Sequence, residues 1–169
     1  MPDGPYCRRS ARVLLLDGAR RILLLRFGRD EHAPELGHCW VTPGGGVYDG
    51  ESLPEAAARE LREETGLAVA PHDLGSLVAV TSGYADLGWA SGTFRDDFFF
   101  YRVAAHDVDT SGLEAVERSQ ITAHRWWTVN ELASTSETVY PFGLASLLTD
   151  LLADRIPDEP VRLPWHHSD

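Results

Sequence analysis

Three glutamates lie close together in the run Arg59-Glu60-Leu61-Arg62-Glu63-Glu64. At about 100° of rotation per helical residue, Glu60, Glu63 and Glu64 would share one face of a helix. Each like-charged pair at this spacing costs about 0.2–0.5 kcal/mol. Acids in the last helical turn each cost a further ~0.3–1 kcal/mol, because the helix dipole opposes them. A divalent cation would remove both penalties, and grouped carboxylate oxygens suit Mg²⁺ or Mn²⁺, which accompany phosphates into active sites.

The alternative interpretation of this run is a solvated charged face, partly neutralised by Arg59 and Arg62. The surrounding residues favour chemistry instead. A glycine triplet at 44–46 follows Pro43, and the acid Glu51 lies between the triplet and the glutamates. Glycine reaches backbone conformations that are closed to other residues. A glycine loop, an additional acid and a carboxylate cluster thus occur in one short block.

The element that must position the glutamates is a helix with clear end signals. Ser52 is a good N-cap, and Glu55 three residues later completes a capping box. Pro54 falls in the first turn, where its missing N–H costs nothing. Gly66 is the expected C-terminal stop. These signals predict a helix at about 53–65.

The whole block resembles the signature of the Nudix hydrolase family, G-x5-E-x7-R-E-U-x-E-E-x-G-U, in which U is aliphatic. Every fixed position of that signature is filled, by Gly45, Glu51, Arg59-Glu60-Leu61, Glu63-Glu64 and Gly66-Leu67. The preceding residues 40–45 also look like the family's usual approach to it. The resemblance implies a Nudix-type α/β/α sandwich with a mixed β-sheet, formed as a single domain over residues 1–169.

The resemblance also implies an activity, namely Mg²⁺-dependent hydrolysis of a nucleoside diphosphate linked to another moiety, with Mn²⁺ as the alternative ion. The metal ligands that it implies are Gly45 through its main-chain carbonyl, Glu60, Glu63 and Glu64. Arg59 would orient one of these carboxylates by a bidentate contact. Glu51 would support the geometry of loop and helix or an outer metal site. Homodimers are common in the family, so a homodimer is compatible with the resemblance.

The general base stays open between Glu60 or Glu64 and an acid of the acidic loop 106–117. Glu117 stands where many family members carry an additional metal-binding or catalytic acid, and Glu114 is its close rival. For either residue, a plain solvated loop acid is the alternative interpretation.

Fewer residues indicate the class of substrate than indicate the metal site. In carrying a tyrosine at position 84, the chain resembles the dinucleoside-polyphosphate hydrolases of the family. The ADP-ribose hydrolases instead carry a proline one residue earlier, where this chain has Gly83. Aromatic residues that could stack on a base are Trp40, Tyr48, Trp89 and Phe94. Packing in the core or on the surface is the alternative interpretation for each of them.

Two functions follow from these observations. The first is a nucleotide or dinucleoside-polyphosphate pyrophosphohydrolase, which the unbroken set of signature acids favours. The second is a non-catalytic Nudix-like nucleotide-binding or regulatory module, although such modules typically lose one or more of these acids. Isoprenoid diphosphate isomerisation would need a nucleophilic cysteine, and the surroundings of Cys39 do not resemble that enzyme's motif.

Charge and composition restrict the partners. Lys and Arg total 15 against 26 Asp and Glu, a net charge of −11, which disfavours nucleic-acid backbones and anionic membranes. The early apolar run Val13–Leu16 is too short for a signal peptide or a membrane span. Cys7 and Cys39 form no disulfide framework, which favours a reduced, cytoplasmic protein. We therefore expect a small nucleotide as partner, and neither nucleic acid nor a membrane.

The remaining elements are predicted from apolar patterns. Residues 11–17 and 21–27 form a hairpin, and further strands lie near 40–42, 74–82, 94–103 and 121–128. Helices lie at about 129–133 and 142–153. Residues 1–9 form a loose lead, and 155–169 form an extended tail in which His166-His167 is frayed.

Overall fold

The computed structural model describes residues 6–28, 37–88 and 90–166. Its strands are β1 Arg8–Leu16, β2 Ile22–Gly28, β3 His38–Val41, β4 Gly44–Gly46, β5 Leu77–Asp86, β6 Ser91–Arg102, β7 Ile121–Trp127, β8 Val139–Tyr140 and β9 Val161–Arg162. Its helices are α1 Leu53–Thr65, α2 Ala115–Gln120, α3 Val129–Ser134 and α4 Leu144–Leu152, with a short 3-10 helix at Pro71–Leu74.

The predicted hairpin of β1 and β2 is confirmed and stands at the centre of a mixed sheet. Its turn is held by Asp17, whose carboxylate accepts hydrogen bonds from the backbone of Ala19 and Arg21. The strand order is β8-β3-β2-β1-β6-β5-β9, with β4 on β1 and β7 on β2. β1 runs parallel to β6, whereas β5 and β6 are antiparallel.

The side chains of β1 alternate between the two faces of the sheet, so this apolar strand packs against helices on both sides. Successive side chains of a strand point to opposite faces. Leu14 and Leu16 pack with α4 on one face, while Val13 and Leu15 pack with α1 on the other. All four are essentially inaccessible to solvent. The sheet therefore lies between helices, which confirms the predicted α/β/α sandwich.

Three local predictions need correction. β1 begins at Arg8, inside the stretch predicted to be loose, because residues 8–16 pair with residues 94–102 of β6. The acidic loop ends earlier than predicted, because α2 starts at Ala115. His166 of the extended tail is not frayed as predicted, because its ring stacks on Tyr140. The residues before it are also held, since β9 pairs with β5 and Leu163 is buried. The predictions for residues 1–5 and 167–169 lie outside the described residues.

Membrane insertion by a helix has no support in the fold. In the parts of the chain that the structure describes, no helix has both the length and the apolar character needed to cross a bilayer.

Candidate active site

Helix α1 begins and ends where its sequence predicts. Ser52 accepts a hydrogen bond from the backbone N–H of Glu55, whose carboxylate accepts one in return from the backbone N–H of Ser52. Gly66 ends the helix in a left-handed conformation with φ of 78°, which glycine adopts without strain. Between these caps, Ala57 and Leu61 are buried against the sheet. The helix is thus fixed at both ends and along one face, and this fixes the direction of its glutamates.

Three carboxylates converge beside the C-terminal half of α1. Oxygens of Glu60, Glu64 and Glu117 all lie within 4.8 Å of one another. Glu60 and Glu64 are buried, and Glu117 reaches them from the first turn of α2. One oxygen of Glu117 is buried and accepts no hydrogen bond from the described residues. Such an orphaned acceptor, facing two buried acids, fits a bound cation, and the donor set is the one that hard divalent ions prefer.

The electrostatics of the cluster also favour a cation. Burial, reinforced by the charge of Glu60, raises the pKa of Glu64 well above its usual range, although Arg12 and the backbone N–H of Gly44 oppose the shift. That N–H donates to Glu64 across 3.3 Å. Burial and Glu60 likewise raise the pKa of Glu117. Without a metal these carboxyls are therefore protonated more readily than ordinary glutamates.

Arg59 connects the loop to the cluster. Its guanidinium donates to both oxygens of Glu51, at 2.8 and 3.0 Å, and to Glu60 at 2.8 Å. It also donates to the carbonyl of Gly46 at 2.9 Å and lies 3.9 Å from the ring centre of Tyr48. The hydrogen bond from Arg59 lowers the pKa of Glu51. The bidentate partner of Arg59 is therefore the loop acid Glu51, and the clustered acid Glu60 receives a single contact.

Glu63 and Glu114 lie beside the three converging carboxylates. The carboxylate of Glu63 is 3.6 Å from Arg59, and its side chain is 30% exposed. Burial and the charge of Glu60 raise its pKa, with a smaller effect from Glu114. Glu114 is exposed and precedes α2. Of the two rival loop acids, the structure thus brings Glu117 into the cluster.

Gly45 leaves room for Glu60. A Cβ atom added at Gly45 would lie 2.6 Å from one carboxylate oxygen of Glu60 and 2.7 Å from its carboxyl carbon. Atoms at these separations must move apart, so any side chain at this position displaces the carboxylate. The site therefore requires glycine at position 45, whether or not the carbonyl of Gly45 binds a metal ion.

Replacing Gly45 by Ala is accordingly expected to lower kcat/KM by about a hundredfold or more, because a displacement of about 1 Å at a reacting centre can cost that much. Steady-state hydrolysis of a nucleotide measures the loss. Gly28→Ala is the control, since a Cβ added at this glycine of β2 would meet nothing within 4 Å. Equal losses in both variants would contradict the proposed role of the space at Gly45.

An open cleft of about 680 Å³ extends to the glycines of β4, of which Gly44 donates a backbone hydrogen bond to Glu64. The clustered carboxylates themselves are not among the described residues that line it. Its floor continues the face of β1 that carries Leu14 and Leu16, with polar residues in place of leucine. Residues that line it include Arg8, Ser10 and Arg12 of β1, Gly44 and Gly45 of β4, Phe94 and Asp96 of β6, and Tyr140, Trp165 and His166. One part of this face is thus core under α4, and the other part forms the floor of the cleft.

The three residues predicted to bind substrate lie elsewhere. Trp40 is buried and packs edge-on against Trp127 at 5.2 Å, with its ring N–H donating to Glu137. Tyr48 lies over Arg59, and Tyr84 is exposed. None of the three is among the described residues that line the cleft. Of the other aromatic candidates, Phe94 does line the cleft, and Trp89 lies outside the described residues.

Sequence reasoning missed several residues of the cleft. Arg8, Ser10 and Arg12 alternate in step with Leu14 and Leu16, so extending the period of two backwards from the core would have placed them on one face. Trp165 and His166 gave no such signal, because their positions depend on contacts with strand β5 and with Tyr140, which are distant in the chain.

Comparison with known proteins identifies relatives over most of the chain. The sequence model of one family, described as NUDIX domain, matches residues 7–147. The chain is 32% identical over 150 residues to an RNA pyrophosphohydrolase of Caulobacter vibrioides, covering 83% of this chain and 81% of that protein.

Solved structures share the fold at lower identity. A MutT protein from Methanosarcina mazei Go1 superposes with a TM-score of 0.61 and 21% identity, covering 93% of this chain and all of that one (100%). A NUDIX hydrolase from Nitrosomonas europaea superposes with a TM-score of 0.64 and 17% identity, covering 88% and 90%. At these identities the likeness concerns the fold alone.

Proposed function

This chain belongs to the NUDIX family and is a pyrophosphohydrolase of nucleotide-linked substrates, and on that premise we propose that Glu60, Glu64 and Glu117 hold its metal. The observation that carries the proposal is the convergence of these three carboxylates within 4.8 Å. Glu63 and the carbonyl of Gly45 complete the proposed ligand set. The proposed ion is Mg²⁺, which prefers such oxygen donors, with Mn²⁺ as the alternative.

The chain's own groups then have distinct tasks. Bound Mg²⁺ supplies charge neutralisation at the phosphate oxygens and a lowered pKa for water. Arg59 holds Glu60 in place and anchors it to Glu51. Glu117 and Glu64 are the candidates for accepting the proton of the attacking water, since their carboxylate oxygens lie in the group that would hold the ion and its bound water.

The substrate phosphates have a cationic partner in the cleft. Arg8 and Arg12 line its floor beside the glycines of β4. Arg12 is itself fixed, since it donates to the carbonyl of Thr42 at 3.0 Å and lies 3.6 Å from Asp96. Guanidinium groups suit phosphate recognition because they present several donors in a rigid plane. We assign these two arginines to the phosphate chain.

Among nucleotide-linked substrates, a free nucleotide or dinucleoside polyphosphate fits best, because a net charge of −11 opposes binding of a long polyanion. The 5′ end of an RNA is the second candidate. It is favoured by the name of the Caulobacter relative, RNA pyrophosphohydrolase. Both candidate substrates contain a pyrophosphate linkage next to a nucleotide. They differ because the RNA continues from that nucleotide as a polynucleotide chain.

A substrate panel distinguishes the candidates. We expect kcat/KM with Mg²⁺ to be at least about tenfold higher for ATP or diadenosine tetraphosphate than for a 5′-triphosphorylated RNA oligonucleotide, and the RNA rate to fall more steeply with salt. The opposite ranking would assign the RNA substrate. A nucleotide that raises the melting temperature while neither wild type nor Glu64→Gln hydrolyses anything would instead indicate the non-catalytic module.

We also propose a cytoplasmic location. Neither cysteine forms a disulfide with a described residue, and Cys7 is exposed whereas Cys39 is buried. A persistent exposed thiol is typical of a reducing compartment. Cell fractionation with thiol labelling tests this assignment. The same purified protein in size-exclusion chromatography tests for the homodimer that the family resemblance allows.

A further inference from the structure

The C-terminal segment 161–166 is bound to the sheet along its length. β9 runs parallel to β5, with Val161 opposite Ala79. The backbone N–H of Leu163 donates to the carbonyl of Val80 at 2.9 Å, and the hydroxyl of Thr81 donates to the carbonyl of Pro164 at 3.1 Å. The segment therefore has a defined course that ends at the cleft.

The side chain of Trp165 is anchored to the end of β5. Its ring N–H donates to the backbone carbonyl of Tyr84 at 2.8 Å. The indole lies against Gly83, where an added Cβ would come within 2.7 Å of the ring nitrogen. A bare glycine and a strand carbonyl thus set both the position and the tilt of the indole on the end of β5.

Trp165 continues into a group of aromatic rings. The ring centre of His166 lies 4.7 Å from that of Trp165 and 4.4 Å from that of Tyr140, on which it stacks with an angle of 29° between the planes. All three residues line the cleft, together with Phe94. The cleft is therefore aromatic along the tail and cationic along β1.

We propose that this tail is the nucleobase-binding wall of the active site, with Trp165 as the specificity residue that stacks on the base. The inference rests on the proposed function and assigns the other end of the same substrate. A nucleotide pairs a flat π-system with an anionic phosphate chain, and the cleft pairs aromatic rings with Arg8, Arg12 and the carboxylate-bordering glycines. Its volume of about 680 Å³ lies in the usual range for ligand sites.

The kinetic test compares a substrate with a base and one without. Trp165→Ala is expected to raise the KM for ATP about tenfold, as loss of one base–aromatic stack does, with kcat within about twofold, while KM for inorganic tripolyphosphate stays unchanged. Gly83→Ala is expected to act in the same direction by displacing the indole, and Trp165→Phe to recover most of the loss. Ile156→Ala is the control, because this tail residue is exposed and precedes the bound segment.

A binding measurement separates this inference from the proposed function. Calorimetric titration with the non-hydrolysable α,β-methylene ADP should give a Kd about tenfold weaker for Trp165→Ala than for wild type, even if wild type hydrolyses no substrate at all. Weaker binding by Trp165→Ala together with no hydrolysis by wild type would contradict the proposed function but still support the role of Trp165 in binding the base. Unchanged affinity and KM in folded Trp165→Ala and Gly83→Ala would overturn the inference, as would equal increases in KM for ATP and tripolyphosphate.

Discussion

Replacing Glu64 by Gln is expected to lower kcat/KM for a nucleotide about a thousandfold while the apo protein becomes more stable. The carboxylate lies in the group formed with Glu60 and Glu117. Losing a metal ligand costs several kcal/mol of transition-state stabilisation, and about 4 kcal/mol corresponds to three orders of magnitude. The amide can still accept the hydrogen bond that Gly44 donates, so the local packing survives.

The gain in apo stability follows from the raised pKa of Glu64. Burial holds that pKa well above the ordinary value of 4.5, so between pH 4.5 and the raised value the folded state binds one more proton than the unfolded state. The free energy of unfolding therefore decreases as pH rises through this window, and the cost is complete above the folded-state pKa. The neutral amide of the Glu64→Gln variant binds no such proton, so the decrease should be shallower in that protein.

Thermal unfolding of wild type and Glu64→Gln in EDTA, between about pH 5 and pH 8, measures this effect. Glu114→Gln is the matched control, because Glu114 is exposed and lies outside the converging trio. It should keep wild-type activity and the wild-type pH dependence. A Glu64→Gln protein that melts well below wild type at neutral pH would contradict the account, since it would show that the carboxylate is a structural group.

Helix α1 was predictable because its information is local. Ser52 and Glu55 cap it, Gly66 ends it, and these residues interact within the same few turns. The predicted bounds of 53–65 are the observed ones. The family signature was readable for the same reason, because its acids belong to one helix and the loop before it.

Features that depend on distant partners were harder to predict. The glycines of β4 look like a loop, yet they pair with Ala11 and Arg12 of β1. Glu117 was predicted in an acidic loop, but the loop folds into α2, where Arg118 donates to the carbonyl of Leu113. The placement of Trp165 requires the carbonyl of Tyr84, 81 residues earlier in the chain. No local pattern encodes such pairs.

Gly83 and Tyr84 occupy positions at which the family resemblance distinguishes classes of substrate. Neither is among the described residues that line the cleft, and a substrate contact of the exposed Tyr84 side chain stays a prediction. The missing side chain of Gly83 and the backbone carbonyl of Tyr84 hold Trp165. Gly83 and Tyr84 thus shape the cleft indirectly, by positioning a side chain that is distant in the sequence.

Adding Mg²⁺ is expected to raise the melting temperature of the wild-type protein, and to raise it more at about pH 8 than at about pH 5.5. A ligand at about 100 times its Kd stabilises the folded state by about 2.7 kcal/mol, which corresponds to roughly 5–10 °C for a chain of this size. The pH dependence arises because the ion competes with the protons that burial retains on Glu64 and Glu117.

The matched measurement uses Glu64→Gln and Glu117→Gln with the same Mg²⁺ titration. Each variant lacks one converging carboxylate, so its shift should be smaller and less dependent on pH, and proton release on binding should fall. Na⁺ at equal ionic strength controls for screening of the net charge of −11. If Na⁺ reproduces the full shift, or if all three proteins respond alike, the stabilisation comes from general screening and the proposed carboxylates do not hold the ion.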